Sequence, residues 1–585
     1  MKLSSAQENL VRLTERERKS RTNWDQLFED LAEMFLPNRR GFQSFITQGE
    51  ERFDEVGSSA PALARRSLQA AVSTMLRPSG RIWAQGRCKF DELNADPEVR
   101  VWHQTVTNLM FQYMYDPRAH MEAQLAMCDD DLVTFGSGIT RIGWDRKGGH
   151  LRFRTRSLVG TYFFVDAVGQ INGIVSFEEW TLRQIVERFG EDNLTKDMKR
   201  KYSQSKRNAK LDDKYELLHI VVPVADAQAM GMKFKQPFSS LWVSTKCKES
   251  LESKGFDYFP YVTPRWDVST GEIYGRSPAM VALNDARLLQ AMTETMVDAG
   301  EKALNPPLWG VSDLISGPLD LQAGGFNPVD TTGLNSAMAP VNPIQLGTLP
   351  DQIAEFMSII EQRIGAAFYQ DILQLPSARD GQLTATEINA RLDQYMRQAA
   401  PVFSRIEHNY NAPLIKTVYT VLKVEGIIPP PPPAIQEVEY FTGEESIEFE
   451  YESPIKVARD KAEAMKTMET LQTVLPLAEA YPQVVDNFDP DFLARFVTGK
   501  MDLPQEAYTP IKQMMAVREQ NAKKMEMAQQ AEMIGKAGPA LAQMGNLIPN
   551  AAKAGLIPGG NPEALPLPAP DTLPFEDIAG LEDVL

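Results

Sequence analysis

SPAMVALNDARLLQAMTETMVDAGEKALNPP, residues 277–307, is the stretch from which the rest of the chain is read. Ser277 offers an oxygen to an orphan helix N–H, and Pro278 suits the first helical position, so a helix starts here. Asn305-Pro306-Pro307 stops it. At about 1.5 Å per residue the predicted helix is roughly 40 Å long. From Ala303 to Gln362 there is no Lys, Arg or His, and the only charges are Asp313, Asp320, Asp330, Asp351, Glu355 and Glu361. This Gly/Pro/Asn-rich insert carries Trp309 and Phe326. A second helix is predicted from about Gln352 to Leu373, with Ile353, Phe356, Met357, Ile360 and Ile364 on one stripe. Two long helices holding a weakly charged insert describe a projecting tip that touches something.

Upstream, residues 1 to about 135 read as helical: Glu8 to Leu36, then Pro61 to Pro78, Pro97 to Pro117, and Ala119 to Phe135 closed by Gly136. The period then changes. Ile139–Trp144 and Leu151–Arg156 flank Lys147-Gly148-Gly149 as a hairpin, and strand-like runs follow at 161–165, 174–180, 215–224, 239–245 and 258–266. This β-rich block, 138–268, contains a basic run from Lys196 to Lys214, which reads as a solvated helix face or as a contact with nucleic acid or an acidic partner.

Downstream, Thr384-Ala385-Thr386-Glu387 has a capping-box spacing and opens a helical stretch to Gly426, in which Pro401 and Pro413 predict kinks. Pro429–Pro433 is a stiff spacer, and Ser446–Glu452 a short acidic strand. Residues 454 to about 535 read as helices punctuated by Pro476, Pro482, Pro490 and Pro504, with methionines at 514, 515, 525, 527 and 533 as packing residues. Past Gly538 the Pro/Gly/Ala/Asn-rich composition predicts a loosely ordered acidic tail.

The 585 residues are 43% hydrophobic and 24% charged, with formal net charge −17. That balance supplies a core but excludes a general nucleic-acid coat, while suiting a surface that DNA passes without sticking. Three cysteines, Cys88, Cys128 and Cys247, have no C-x-x-C spacing, so a reducing compartment is expected. The polar N-terminus predicts no signal peptide, and no apolar run reaches membrane-spanning length.

Catalytic signals are weak. There is no P-loop and no H-E-x-x-H, and His103, His120, His150, His219 and His408 are scattered. Phe135-Gly136-Ser137-Gly138 is not a nucleophile elbow; its glycines end a helix and begin a strand. Asp129-Asp130-Asp131 is the best carboxylate cluster, yet successive helical residues point to different sides, so it cannot form a two-metal site alone. No cofactor, no metal and no enzymatic activity are expected.

Four stretches, in order, resemble the head-to-tail connector, or portal, proteins of short-tailed bacteriophages (podoviruses). They are Pro61 to Trp83, ending Leu76-Arg77-Pro78-Ser79-Gly80-Arg81-Ile82-Trp83; Leu132 to Gly138 running into Ile139-Thr140-Arg141; Arg265-Trp266-Asp267 with Gly271-Glu272-Ile273-Tyr274-Gly275-Arg276-Ser277-Pro278; and Leu383-Thr384-Ala385-Thr386-Glu387-Ile388 with Arg391. The resemblance covers roughly residues 10 to 530. It implies an α+β, mainly helical portal fold: wing 1–276 (β-rich 138–268), stem helices 277–304 and 351–373, clip 305–350, channel loop 374–383, a long kinked wing helix and return 384–453, crown 454–537, and a flexible tail 538–585.

It further implies a homo-oligomeric ring, typically a dodecamer, at one capsid vertex of the virion, made in the bacterial host cytoplasm. Double-stranded DNA would enter and leave through its channel. The partners would be terminase, a tail adaptor, and the major capsid and scaffolding proteins, with no membrane. The candidate channel residues are Glu294, Asp298, Glu301, Lys302, Arg379, Asp380 and Gln382. The candidate docking residues on the clip are Trp309, Asp313, Asp320, Phe326 and Asp330. The alternatives are another virion structural or adaptor protein, or a nuclease component of DNA packaging.

Overall fold

Hydrophobic stripes at helical spacing build the centre of the chain. A computed structural model describes residues 3–43, 56–94, 96–208, 212–229, 234–311, 320–329, 341–344, 352–370, 404–442, 445–451, 454–480, 488–501, 514–525 and 527. The chain divides into two units, Met1–Leu477 and Ala478–Leu585, and the fold class is α+β. The first helices are α1 (Ser5–Ser20), α2 (Thr22–Phe35), α3 (Ala60–Leu76), the short α4 (Asp91–Asn94), α5 (Pro97–Met114) and α6 (Met121–Phe135). Phe28, Leu31 and Phe35 of α2, Leu68 and Val72 of α3, Val106 and Met110 of α5, and Leu125 and Leu132 of α6 share one core. Each such side chain contributes about 1.5–3 kcal/mol by leaving water.

The expected single helix from Glu8 to Leu36 is two helices. The break falls at Arg21, whose guanidinium is buried at 3% exposure and donates to the carbonyls of Leu158 and Thr161 and to Asp25. Asp25 at i+4 and the two carbonyls together supply the partners that a buried cation needs.

The β-rich block is an antiparallel meander in the order β4 (Thr161–Val165), β5 (Ile171–Thr181), β6 (Lys214–Pro223), β7 (Phe238–Ser244), β8 (Glu249–Phe256). Alternation sorts its side chains. Val175, Leu218, Ile220, Leu241 and Val243 pack with Leu10 of α1 on one face. Leu217, Trp242 and Leu251 pack on the other with Leu182, Ile185 and Phe189 of α7 (Leu182–Phe189). Sequence reading missed α7 and β8. The strand Glu-Ser-Leu-Glu-Ser-Lys-Gly-Phe is mostly polar because it is the sheet's edge, with only Leu251 fully buried. The basic run forms α8 (Lys196–Asn208), and α9 (Val224–Ala229) follows β6. The predicted hairpin is β2 (Thr140–Asp145) with β3 (His150–Thr155), and β9 is only Tyr261–Val262, shorter than the expected 258–266.

Beyond lie α10 (Pro278–Leu304), β10 (Leu308–Val311), β11 (Phe326–Val329), β12 (Val341–Pro343) and α11 (Gln352–Ala367). A π-helical turn, Glu407–Asn411, leads into α12 (Ala412–Val424), then α13 (Pro433–Thr442), which sequence reading missed, and β13 (Ile447–Tyr451). The predicted acidic strand finds its partner far away: β13 pairs antiparallel with β1 (Ala84–Cys88). Last come α14 (Pro454–Ala480) and α15 (Pro490–Lys500). Pro476 sits inside α14 without ending it, and the helix runs on to Ala480. Within the second unit, Arg518 clamps Asp491 of α15 with two bonds of 2.5 and 2.6 Å. No described helix is long and apolar enough to cross a membrane.

The three aspartates of α6 each face a different arginine. Asp129 accepts from Arg77 and from Ser73 at 2.5 Å, Asp130 from Arg65, and Asp131 lies 3.2 Å from Arg39. Burial works against the Arg77 charge, but Asp129 and Tyr410 outweigh it and raise its pKa. Arg77 also donates to Asn411 Oδ1 at 3.3 Å, and Asn411 returns a bond to the Leu76 carbonyl at 3.1 Å. These carboxylates diverge and act as ties between α3, α6 and the π-turn. Asp129→Ala is expected to strand Arg77 and remove about 3–5 kcal/mol in denaturant unfolding, whereas a loss below about 1 kcal/mol would contradict the tie.

Asp131 behaves differently. Burial pushes its carboxyl up to about 7, opposed by Arg39. The folded chain thus holds a proton that the unfolded chain releases. The resulting stability is complete below about pH 4 and is lost as pH rises to about 7. Asp131→Asn should flatten the melting temperature across that window, and an unchanged pH profile would contradict this.

Candidate functional site

The root of α10 is locked into the end of α6. Ser277 accepts from Met280 N at 3.2 Å and donates to the Thr134 carbonyl at 2.7 Å. Gly136 ends α6 in the left-handed region at φ 76°, a conformation glycine adopts without strain. Its carbonyl accepts from Trp266 N at 2.9 Å, and Ser137 Oγ accepts from Gly275 N at 2.9 Å. The backbones of Gly136 and Gly275 approach so closely that a Cβ on either would sit 2.3 or 2.2 Å from the other's carbonyl oxygen. Beneath the crossing, Phe28 packs edge-on against Phe135 and Tyr274 with centroids 5.6 and 5.8 Å apart. Each such pair contributes about 0.5–1.5 kcal/mol beyond burial. Two stretches that the sequence offered as separate signatures, 132–141 and 265–278, are therefore one joint.

From that joint α10 projects. Its buried residues are Pro278, Ala279, Ala282, Leu283, Ala286 and Leu289, all in the first half. Arg287 pairs with Asp30 at 2.7 Å, and Asp285 with Arg363 of α11 at 3.2 Å. α11 lies along α10 and buries Ile360 and Ile364. Past Leu289 no α10 side chain is buried, although Val297 and Leu304 are apolar and 57% and 90% exposed.

Four of the candidate channel residues, Glu294, Asp298, Glu301 and Lys302, fall on this half. Glu294, Asp298 and Glu301 are exposed. Glu294 accepts from Gln290 at 2.7 Å, and Lys302 sits 3.8 Å from Asp298, so the segment's one cation is matched and an acidic excess remains. Arg379, Asp380 and Gln382 lie outside the described residues.

At the tip, β10 pairs parallel with β11 and antiparallel with β12. Trp309 is half-buried on β10 opposite Asn327 and Asn342, while Phe326 on β11 is 52% exposed. Asp320, chosen as a docking residue, also organises a turn. Its backbone N–H and carbonyl bond the Asn327 side chain at 2.5 and 2.7 Å, and its carboxylate accepts from Gln322 N at 3.0 Å. Asn327, which sequence reading missed, is buried and also donates to the Leu308 carbonyl at 3.3 Å. The signal was available: an Asn between Phe326 and Pro328 in an apolar run needs partners for its amide. Asp313 and Asp330 lie outside the described residues. Among the described residues no group of three or more His, Cys, Asp or Glu is arranged to hold a metal ion.

A sequence model of the family described as "Bacteriophage head to tail connecting protein" matches residues 7–508. The chain belongs to that family. It is 25% identical over 536 residues to the "Probable portal protein" of Bordetella phage BPP-1, spanning 91% of this chain and 94% of the relative. It is 22% identical over 534 residues to the "Portal protein" of Salmonella phage epsilon15, spanning 90% and 93%. The match to the connecting-protein family takes in both halves of the α6–α10 joint and the whole of the α10–α11 projection.

Two glycines test this architecture in opposite directions. Gly275→Ala should abolish soluble folded protein, since a backbone rather than a flexible side chain meets the new Cβ. Gly300→Ala, in α10 with nothing within 4 Å of its Cβ, should stabilise the chain by about 0.5–1 kcal/mol. Thermal melts of both variants check this, and a well-folded Gly275→Ala protein would contradict the joint.

Proposed function

We propose that this connecting protein is a portal subunit. It assembles into a ring at one capsid vertex, conducts double-stranded DNA during packaging and ejection, and docks terminase and then the tail adaptor. The observation that carries the proposal is the α10–α11 projection: a helix anchored firmly at one end, whose far half exposes Val297 and Leu304 and an acidic excess. Apolar side chains on a solvated helix face are covered by association. A head-to-tail ring offers each copy two different neighbours and closes on itself. The names of the two phage relatives support the same reading.

In this assignment residues 1–276 with 384–453 form the wing, 277–304 and 351–373 the stem, 305–350 the clip, 374–383 the channel loop, and 454–537 the crown. The acidic far half of α10 faces the passing duplex. Carboxylates there repel phosphate, so DNA slides without the counterion release that fixes basic proteins on it. Trp309 and Phe326 are the clip's contact residues, aromatic anchors of the kind that concentrate binding energy at interfaces. The partners are further copies of the chain, DNA, terminase, the tail adaptor, and capsid and scaffolding proteins. The ring is a structural component of the virion without catalysis.

Electron microscopy of the purified full chain should show closed rings, most often of twelve, with an axial channel about as wide as duplex DNA. Persistent monomers at high concentration would overturn the assignment. Deleting residues 311–345 should impair terminase or adaptor docking more than ring formation, and intact docking would remove the clip assignment. Replacing Glu294, Asp298 and Glu301 together by Lys should leave rings intact and slow DNA translocation in a packaging assay. Unaltered translocation would remove these residues from the channel.

A further inference from the structure

A cleft of about 340 Å³ opens where the turn before β5, the stretch 259–265 around β9, and the π-turn with α12 meet. Arg265, His408 and Lys416 line it together with Asn409, and no Asp or Glu is among its lining residues. On a chain of net charge −17 that is a local reversal of sign. The fold presents these groups for a specific reason. Pro413 lacks the N–H that would close an α-helical turn onto Asn409, and the helix opens to π geometry over Glu407–Asn411. His408 and Asn409 stand exposed on that widened turn, and exposed Lys416 follows on α12. Among the described residues neither Lys416 nor His408 makes an ion pair.

We propose that this cleft binds a phosphate ester, that of a nucleotide either free or within a strand. The site lies apart from α10 and does not depend on the channel reading. The chemistry selects phosphate over a carboxylate. The Arg265 guanidinium already spends Nη1 on the Ile273 carbonyl at 3.2 Å and Nη2 on the Gly169 carbonyl at 2.9 Å. Two of its five N–H donors are thus committed, which leaves the planar fork only partly free for the bidentate pairing that carboxylates favour. What remains is a point-charge ammonium, an imidazole and an amide around a fixed positive background, the donor set that holds phosphate oxygens. Asp166, whose charge acts on Arg265, is committed to the turn N–H groups of Val168 and Gln170 at 2.9 and 2.8 Å. A phosphate group alone leaves much of the cleft empty. Phe259 and Tyr261, with centroids 5.8 Å apart, supply an apolar wall for the attached sugar or base. The Tyr261 hydroxyl is turned away to His219 Nδ1 at 3.2 Å, so the ring alone serves the cleft.

Isothermal titration of the full chain with dAMP, with inorganic phosphate and with a short DNA duplex tests the proposal. Wild type should bind dAMP or the duplex more tightly than inorganic phosphate. Lys416→Ala and His408→Ala, both exposed and expected to melt like wild type, should each weaken binding by about tenfold, as for one lost charged contact. Saturation by dAMP would assign the site to a free nucleotide; duplex binding that depends on Lys416, without dAMP binding, would assign it to a strand. No binding of any phosphate probe overturns the proposal. So does wild-type affinity in both variants, and so does a glutamate peptide that binds in a Lys416-dependent way when the phosphate probes do not.

Discussion

Everything in the first unit hangs on the crossing of two glycine backbones. Gly136 and Gly275 approach to a distance that no other residue pair allows, and this lets Ser277 cap α10 on the end of α6. The joint gathers distant parts of the chain: Phe28 from α2, Phe135 from α6, Tyr274 before α10 and Arg21 from the α1–α2 break. A projecting helix needs such a foundation. Its far half buries no side chain, so its direction is set chiefly by how it is held at the root.

The arginine–aspartate ties continue this foundation across α6. Charged groups buried there would be costly if unpaired, and each aspartate finds its own arginine. The cluster that looked most like chemistry in the sequence thus stiffens the helix to which α10 is joined. Arg77 carries the tie onward to Asn411 and stacks over Tyr410 at 4.5 Å, linking the root of α10 to the π-turn.

Much of this was legible in the sequence, for identifiable reasons. Ser277-Pro278 and Gly136 are local signals, and local chemistry fixed both helix ends. The meander's central strands alternate cleanly, so β6 and β7 were readable, whereas edge strand β8 alternates around Leu251 alone. The break at Arg21 was not readable, because its cause lies in carbonyls of residues 158 and 161. The pairing of β1 with β13 spans more than half the chain and leaves no local mark. At the tip, Trp309 and Phe326 stood out by residue type, but the role of Asn327 depends on partners that only folding assembles.

The central claim is that the far half of α10, which buries no side chain within the subunit, is completed from outside it. Hydrogen exchange measured on the assembled protein and on a dissociated form tests this directly. Residues 278–289, whose inward face is buried at the root, should be protected in both states, and residues 290–304 should gain protection only on assembly. Equal protection of the two halves in the dissociated chain, or no gain in 290–304 on assembly, would contradict it.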